Sequence, residues 1–505
     1  MRGWLRALRD QRGAVAMLAG LSALPLLLMT GAAIDLTRLY LLHSRLVTAT
    51  DAAALAGARA INDADRDTQI QRWFWANFTR ESPGRSTGFL GAEVTSFTVA
   101  VEDDNKVVRV RVQASLPTTV LRLFGREVLS ATADNAARRQ DRGMELALVL
   151  DVTGSMAGSA MTALRDSATD LINILYGPNE TIPNLWVSVV PYTATVNIGR
   201  SRSNWLVAGS LVPSDYNNTV WRGCVQARHQ NGEDETDTPP TIAPYRPHFW
   251  RSTVGRYSPN LGDNEWTSTT ITEPNPENPP TDAAQNSLGN NARGPNLGCG
   301  RAILPLTQSR TTVLNEISNL RATHRGGTMA NLGLQMGWAN LSPRWRGLWG
   351  SATLPLDYGT PYMDKVLVLM TDGSNEWYDW PEGAPGSCRT SGSSPPCRTG
   401  YVNDGDADVT AYGRLRENRL GLATINNANA RAEIDARMSR LCGRIKQSGI
   451  IVYTITFNVS SSSTQTLYRN CASRPEYYFN SPDTAALRSA FREIAGQLAN
   501  LRLIQ

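Results

Sequence analysis

The chain has 505 residues, 41% of them hydrophobic and 19% charged, with 50 Lys and Arg against 45 Asp and Glu. That length exceeds one ordinary core and predicts two or more domains, and the composition excludes a disordered or multi-spanning chain. The net charge of +5 is almost wholly arginine, with lysines only at Lys106, Lys365 and Lys446, and no basic cluster interleaved with aromatics suggests nucleic-acid binding.

The first element is apolar. From Gly13 to Ile34, "GAVAMLAGLSALPLLLMTGAAI" carries no charge and is long enough to cross a bilayer as a helix. Arg2, Arg6, Arg9 and Arg12 precede it against a single Asp10, so residues 1–12 read as a cytoplasmic tail, 13–34 as a transmembrane helix and everything after as extracytoplasmic. A cleaved signal peptide ending near Gly31-Ala32-Ala33 is the rival, but the run outlasts a usual signal core. Pro25 lies mid-span and could kink the helix. The helical pattern continues over 35–62. Leu36, Leu39, Leu42, Leu46, Ala49, Ala53 and Gly57 form one stripe whose second half is small, fit for close approach of another helix or for packing on the chain's own next domain.

Residues 63–142 predict a small α+β module. "VTSFTVAVEDDNKVVRVRVQASLP" alternates about a polar turn, as a hairpin does, and a short helix and a further strand follow. From 143 to 505 strands alternate with helices: "MELALVLD", a helix over 157–176, "LWVSVVPY" over 185–192, "AILPLT" over 302–307 and a helix to Leu320. "DKVLVLMTDG", a helix over 430–447, "GIIVYTITF" and a helix over 483–500 complete the series. Such alternation predicts an α/β fold with a doubly wound, Rossmann-like parallel sheet covered on both faces. Two long insertions, 198–300 and 374–420, carry no period and are either lids, docking surfaces or stapled loops. All six cysteines follow residue 220, which fits an oxidising compartment, and pairing neighbours gives Cys224–Cys299, Cys388–Cys397 and Cys442–Cys471.

Ligands of open parallel sheets bind at the carboxyl ends of the strands. Asp151 ends the first strand of the large domain, with Thr153 and Ser155 next; Asp372 ends "VLVLMTD"; Thr328 lies in a "GGT" loop before a helix. These five oxygen side chains are expected to converge on one point at the top of the sheet. Two carboxylates with three hydroxyls suit Mg²⁺ or Mn²⁺ and leave the ion able to take an acidic side chain from a partner. Each piece alone reads as helix capping or turn chemistry; the ordered set is far more specific.

"DVTGSM", the "GGT" loop and "LVLMTDG" resemble the metal-ion-dependent adhesion site (MIDAS) of von Willebrand factor A domains, with Thr153 standing where that family most often has Ser. The resemblance implies that Thr153, Ser155 and Thr328 touch the ion directly and that Asp151 and Asp372 act mainly through coordinated waters. Residues 12–60, with Asp35 at the membrane exit and the helix "DAAALAGA", are similar to the TadE/TadG-like segment of tight-adherence (Tad, or Flp) pilus assembly proteins. A type IV prepilin would carry Glu five residues after the cleavage Gly, whereas Leu18 stands there after Gly13. Together the two resemblances imply a TadG-like, non-enzymatic component: single-pass in the bacterial inner membrane with its C-terminal portion in the periplasm. It would bind pilus or envelope proteins through the metal and associate laterally with similar subunits. A pilus-independent metal-dependent adhesin, or a subunit of an enzyme complex, are the alternatives.

The remaining signals are weak. "NDGDAD" (403–408) lacks the closing Glu of a calcium loop. His43, His229, His248 and His324 form no zinc motif, and neither G-x-S-x-G nor a P-loop occurs. Trp338, Trp345, Trp349, Trp377 and Trp380 flank Thr328 and Asp372 and either fill loops or anchor a partner.

Overall fold

The computed structural model describes residues 11–61, 63, 65–79, 88–103, 107–138, 142–217, 219–252, 264, 266–272, 292–377 and 408–501. The chain divides into two compact units, Met1–Asp141 with Leu503–Gln505, and Arg142–Arg502.

The first unit begins with a helix of 49 residues, α1 (Gln11–Arg59), with Pro25 inside it. A second helix, α2 (Arg66–Phe78), and three antiparallel strands follow: β1 (Glu93–Glu102), β2 (Val107–Pro117) and β3 (Val128–Arg138), in the order β1-β2-β3. The early part of α1 is long and apolar enough to cross a membrane, and Leu21 and Met29 are 73% and 71% exposed. Its later part is different. Leu42, Leu46, Ala49 and Ala53 are fully buried against Val108, Val110 and Val112 of β2 and Ala131 and Ala133 of β3. The small-residue stripe, open in the sequence to a partner helix or to the chain itself, is filled by the chain's own sheet. Its small size matters: a Cβ on Gly57 would lie 2.7 Å from Ile70 and 2.8 Å from Val108.

Asp35 fixes the opposite end of this sheet. Its buried carboxylate accepts the amide N–H groups of Thr119 (2.8 Å), Val120 (2.9 Å) and Leu121 (2.9 Å). Those bonds, that from Leu121 foremost, hold the carboxyl down at about 2.

The second unit contains, in chain order, β4 (Gly143–Asp151), α3 (Ser159–Tyr176), β5 (Leu185–Tyr192), β6 (Val196–Asn197), β7 (Cys224–Val225) and β8 (Leu304–Thr307). There follow α4 (Arg310–Ser318), β9 (Gly327–Thr328), α5 (Ala330–Leu341), β10 (Met363–Thr371) and β11 (Glu376–Trp377). The chain closes with α6 (Asn427–Gln447), β12 (Ile451–Phe457), α7 (Ser462–Cys471), β13 (Tyr478–Ser481) and α8 (Thr484–Leu501). The main sheet runs β13-β12-β10-β4-β5-β6-β7, with β8 also on β5.

Every residue of β4 is buried, as a strand covered on both faces must be. Leu146, Leu148 and Leu150 pack with Leu164 and Leu171 of α3, Val313 and Ile317 of α4, and Leu487 and Phe491 of α8. Ala147 and Val149 face the other way, toward Leu332 and Met336 of α5 and Ile434 and Met438 of α6. Helix α5 sits close because it carries Gly333 and Gly337, where an added Cβ would come within 2.5 Å of Tyr192 and of Val149.

The sheet is mixed, which corrects the expectation of a parallel one. β13, β12, β10, β4 and β5 are mutually parallel, but β6, β7 and β8 are antiparallel to their neighbours. The reason lies in the first insertion. Its end is tied to the carboxyl edge of the sheet by the Cys224–Cys299 disulfide and by the Asn197 side-chain amide donating to the Gly300 carbonyl (2.9 Å). Strand β8 therefore starts where β5 ends and must run back along it.

The described part of the 198–300 insertion holds little regular structure but joins the core through Trp205, Tyr216, Trp221 and Tyr245. Cys442–Cys471 also forms, tying α6 to α7. Cys388, Cys397, Trp380 and most of the 374–420 insertion lie outside the described residues. Trp338, Trp345, Trp349 and Trp377 are each at most 7% exposed, which removes the reading of these four as a partner anchor. Trp345 and Trp349 stack at 5.6 Å with Trp205 against their edges.

Candidate metal centre

Three elements meet at the carboxyl edge of the sheet. β4 delivers Asp151, fully buried, and the chain then turns through Thr153 and Ser155 into α3. β10 delivers Thr371 and, immediately after, Asp372. The loop before α5 delivers Thr328. That loop passes Gly326 and Gly327 at φ +93° and +108°, and a Cβ on Gly326 would strike Ala194, so glycine is required there. β9 and β11 pair antiparallel, Thr328 opposite Glu376, which ties the Thr328 loop to the segment following Asp372. Asn375 reinforces the tie by accepting the amide N–H of Ala330 at 2.9 Å.

Four of the five sequence-predicted side chains form one hydrogen-bonded line. The Thr153 hydroxyl donates to Asp151 Oδ1 (2.7 Å), Thr153 Oγ1 lies 3.0 Å from Ser155 Oγ, and the Ser155 hydroxyl donates to Asp372 Oδ1 (2.8 Å). Thr328 is not bonded into that line, but it shares with Thr153 and Ser155 a cleft of about 300 Å³, also lined by His324, Arg325 and Glu376.

Sequence reasoning missed two partners of Asp151: Thr371 donates its hydroxyl to Oδ2 at 2.8 Å, and the Tyr192 hydroxyl lies 3.2 Å from the same oxygen, its single proton shared with the Met370 carbonyl at 2.9 Å. Both come from strands beside β4, with Tyr192 in direct register with Asp151. Glu376, which also escaped notice, is paired with Arg431 at 2.6 Å.

The electrostatics of the line are unusual. Three oxygen–oxygen contacts run from Asp151 to Asp372, but Thr153 and Ser155 have only two hydroxyl protons between them. With both carboxyls ionised, one contact sets lone pairs face to face. Burial and the nearby Asp151 charge push the Asp372 carboxyl up to about 8, and burial also pushes Asp151 up, against the hydrogen bonds from Thr153. Among the described residues neither carboxylate has a cationic side chain at salt-bridge distance.

With both carboxyls ionised the line carries two negative charges; the raised Asp372 carboxyl relieves this by favouring its protonated form, and a divalent cation would balance both charges. The donor set, hydroxyl and carboxylate oxygens only, is that of a hard cation such as Mg²⁺ or Mn²⁺, and so fits the ion the sequence led us to expect. No cluster of three or more His, Cys, Asp or Glu side chains able to hold a metal occurs among the described residues, so a site here depends on the hydroxyls.

The neighbouring charges are compensated internally. Arg325 and Asp408 form a bidentate buried pair (2.8 and 2.6 Å), and Asp408 also accepts the Gly326 N–H (2.8 Å), which pins the glycine loop. The one described carboxylate of "NDGDAD" is thus a structural partner. Lys365 pairs with Glu145 within β10 and β4.

No curated protein sequence matches the chain. Among solved structures, loose likenesses include the von Willebrand factor domain of the type V pili tip protein Mfa5 from Porphyromonas gingivalis (TM-score 0.35, 11% identity, 72% of this chain and 97% of that one). The pilus adhesin SpaC from Lactobacillus rhamnosus GG is another (TM-score 0.34, 10% identity), matched over 81% of this chain but only 35% of its own length. The PilB minor pilin from Streptococcus sanguinis follows at a TM-score of 0.32 and 12% identity, over 82% and 80% of the two chains. At the N-terminus, residues 13–60 match the Flp pilus-assembly TadE/G-like family.

Proposed function

We propose that this chain is a membrane-anchored, protein-binding component of Tad/Flp pilus assembly. In this reading α1 crosses the bacterial inner membrane over residues 13–34. The second unit is a periplasmic von Willebrand factor A domain with a Rossmann-like sheet, and its edge holds Mg²⁺ or Mn²⁺ in an adhesion site. The family match at 13–60 supports the pilus assignment. The observation that carries the site is the line Asp151–Thr153–Ser155–Asp372, brought together from two strand ends and open, through the hydroxyls and Thr328, to a cleft.

When bound, the ion supplies a Lewis-acidic position able to take a partner's carboxylate. The chain's own part is to hold the oxygens. Asp151, held by the Thr153 amide and hydroxyl and by the Thr371 hydroxyl, stays fixed beneath the sheet edge, while Ser155 and Thr328 face the cleft where the partner arrives. We propose binding, not turnover: in this reading the Thr153 and Ser155 hydroxyls that face the cleft serve as ligands of the ion.

The test is calorimetric titration of the full chain in lipid nanodiscs with Mg²⁺ and Mn²⁺, beside Asp151→Ala and Asp372→Ala, paired with piliation of cells carrying each variant. Saturable binding and normal piliation in the wild type, both lost in the two variants, support the reading. Binding without any effect on piliation leaves a metal site but removes its pilus role. No binding by a folded wild type removes the metal.

A further inference from the structure

The first unit carries an exposed apolar tip where a bilayer would begin. Strand β2 runs down α1 toward its N-terminal half. Val108 lies against Gly57, the Pro117 carbonyl accepts from Arg38 (3.3 Å), and the Thr119 amide reaches Asp35 (2.8 Å). One turn further along α1, Val120 packs directly on Gly31, where any Cβ would collide with it. Four residues of helix are about 6 Å. The connection between β2 and β3 therefore reaches past Asp35, the first charge after the apolar run, to the level of Gly31 within that run.

The residues that follow Val120 are "LRLFGR", 121–126. A soluble turn would be polar here. Instead Leu123 is 75% exposed and Phe124 55% exposed, with Val128 at 54% just behind them. Gly125, at φ +78°, closes the turn and leaves the two large side chains projecting. The basic residues Arg122 and Arg126 flank them and are exposed, and the acid next in sequence is Glu127. Exposed aromatic and aliphatic tips bracketed by arginines are what a membrane interface selects: the apolar ends enter the acyl boundary and the guanidinium groups stay among the headgroups.

We infer that the β2–β3 tip, through Leu123 and Phe124, inserts into the outer leaflet beside the transmembrane helix, so that the first unit meets the lipid surface at two points. The partner is lipid, because the tip is held by Asp35 and Gly31 at the depth of the span itself. Two points of contact fix the tilt and rotation of the unit on the membrane, which a single helix leaves free.

This inference rests on reading α1 as membrane-spanning, and the test separates the two. An environment-sensitive fluorescent amino acid is placed in the full chain at position 124, at 123, at 21 within the apolar run, or at 113, an exposed position on β2 away from the tip. Each labelled chain is reconstituted into vesicles of mixed zwitterionic and anionic phospholipid with brominated acyl chains.

We expect loss of most emission at 21, 123 and 124 and none at 113. Quenching at 21, with 123 and 124 as bright as 113, overturns the inference and leaves the span intact; protein–protein burial of the tip would give that result. Absence of quenching at 21 overturns the span reading and this inference with it. Equal quenching at 113 and 124 also overturns it, since the sheet rather than the tip would then lie on the lipid.

Discussion

The proton held between Asp151 and Asp372 makes metal binding, on the proposed reading, a proton-releasing reaction. With Asp372 pushed up to about 8, the pair favours holding a proton at pH 7, and a divalent ion must expel it. Apparent affinity for Mg²⁺ then rises about tenfold per pH unit below pH 8 and levels off above it. Calorimetry at pH 7 in two buffers of different ionisation enthalpy reads the released proton directly.

The metal-free fold carries the complementary signature. Asp372 has its folded value raised above the ordinary 3.8, so between these values the unfolded chain has lost a proton that the folded chain keeps. Stability present below pH 4 is lost as pH rises through 8, at about 1.4 kcal/mol per pH unit. Asp372→Asn removes that loss. At pH 8 without metal it should melt above the wild type, while gaining nothing from added Mg²⁺. A wild-type melting temperature that is flat from pH 5 to 8 without metal, together with binding heats independent of buffer, would refute the account of the proton line.

Three other substitutions follow from the same geometry. Thr153→Ser keeps the hydroxyl between Asp151 and Ser155 and should leave Mg²⁺ affinity within severalfold of wild type, whereas Thr153→Val should lower it at least about tenfold, by titration. Asp408→Ala removes the carboxylate from the buried Arg325 guanidinium and frees the Gly326 amide; chemical denaturation should read a loss of about 3–5 kcal/mol, and Mg²⁺ affinity should fall about 10–100-fold as Thr328 shifts. Gly333→Ala drives a Cβ to 2.5 Å from the Tyr192 ring and should cost about 1–3 kcal/mol, with a weaker ion site because Tyr192 bonds Asp151.

How much of this was legible in the sequence depended on the range of the interaction that set it. β4, β10 and β12 were readable because a strand buried on both faces is a continuous apolar run. The residues that end two of them, Asp151 and Asp372, were readable because a carboxylate stopping such a run is out of place. The partners of Asp151 were not readable: Tyr192 and Thr371 are polar ends of ordinary strands, and only the cross-strand register sets them on that carboxylate. A tyrosine closing the apolar strand "LWVSVVPY" was the available signal. The direction of β8 was hidden for a similar reason, since it is fixed by a disulfide spanning 75 residues rather than by anything in "AILPLT". The tryptophans stayed open between loop filling and anchoring because their exposure depends on the irregular 198–300 segment, which carries no period yet supplies Trp205 to bury Trp345 and Trp349.

The distribution of charge around the cleft bears on why an ion, rather than arginine, would recognise an acidic partner. The fixed charges nearby cancel in pairs: Arg325 with Asp408 and Glu376 with Arg431. Among the described residues that line the cleft, this leaves the Asp151–Asp372 pair beneath it, which without a cation presents net negative charge to anything entering. A partner carboxylate is then repelled, and more so as pH rises through 8 and the shared proton leaves. A divalent ion, having displaced the shared proton, cancels the pair's two charges and adds a directional ligand position at the hydroxyl side. Chelation should therefore abolish capture of an acidic peptide rather than weaken it, and raising the salt concentration should do so only partly, because the contact at the ion is short-range and poorly screened. Capture that persists in chelator and collapses with salt would place the partner on charged residues away from the cleft instead, and the carboxylate pair would then be a buried structural feature without a role in binding.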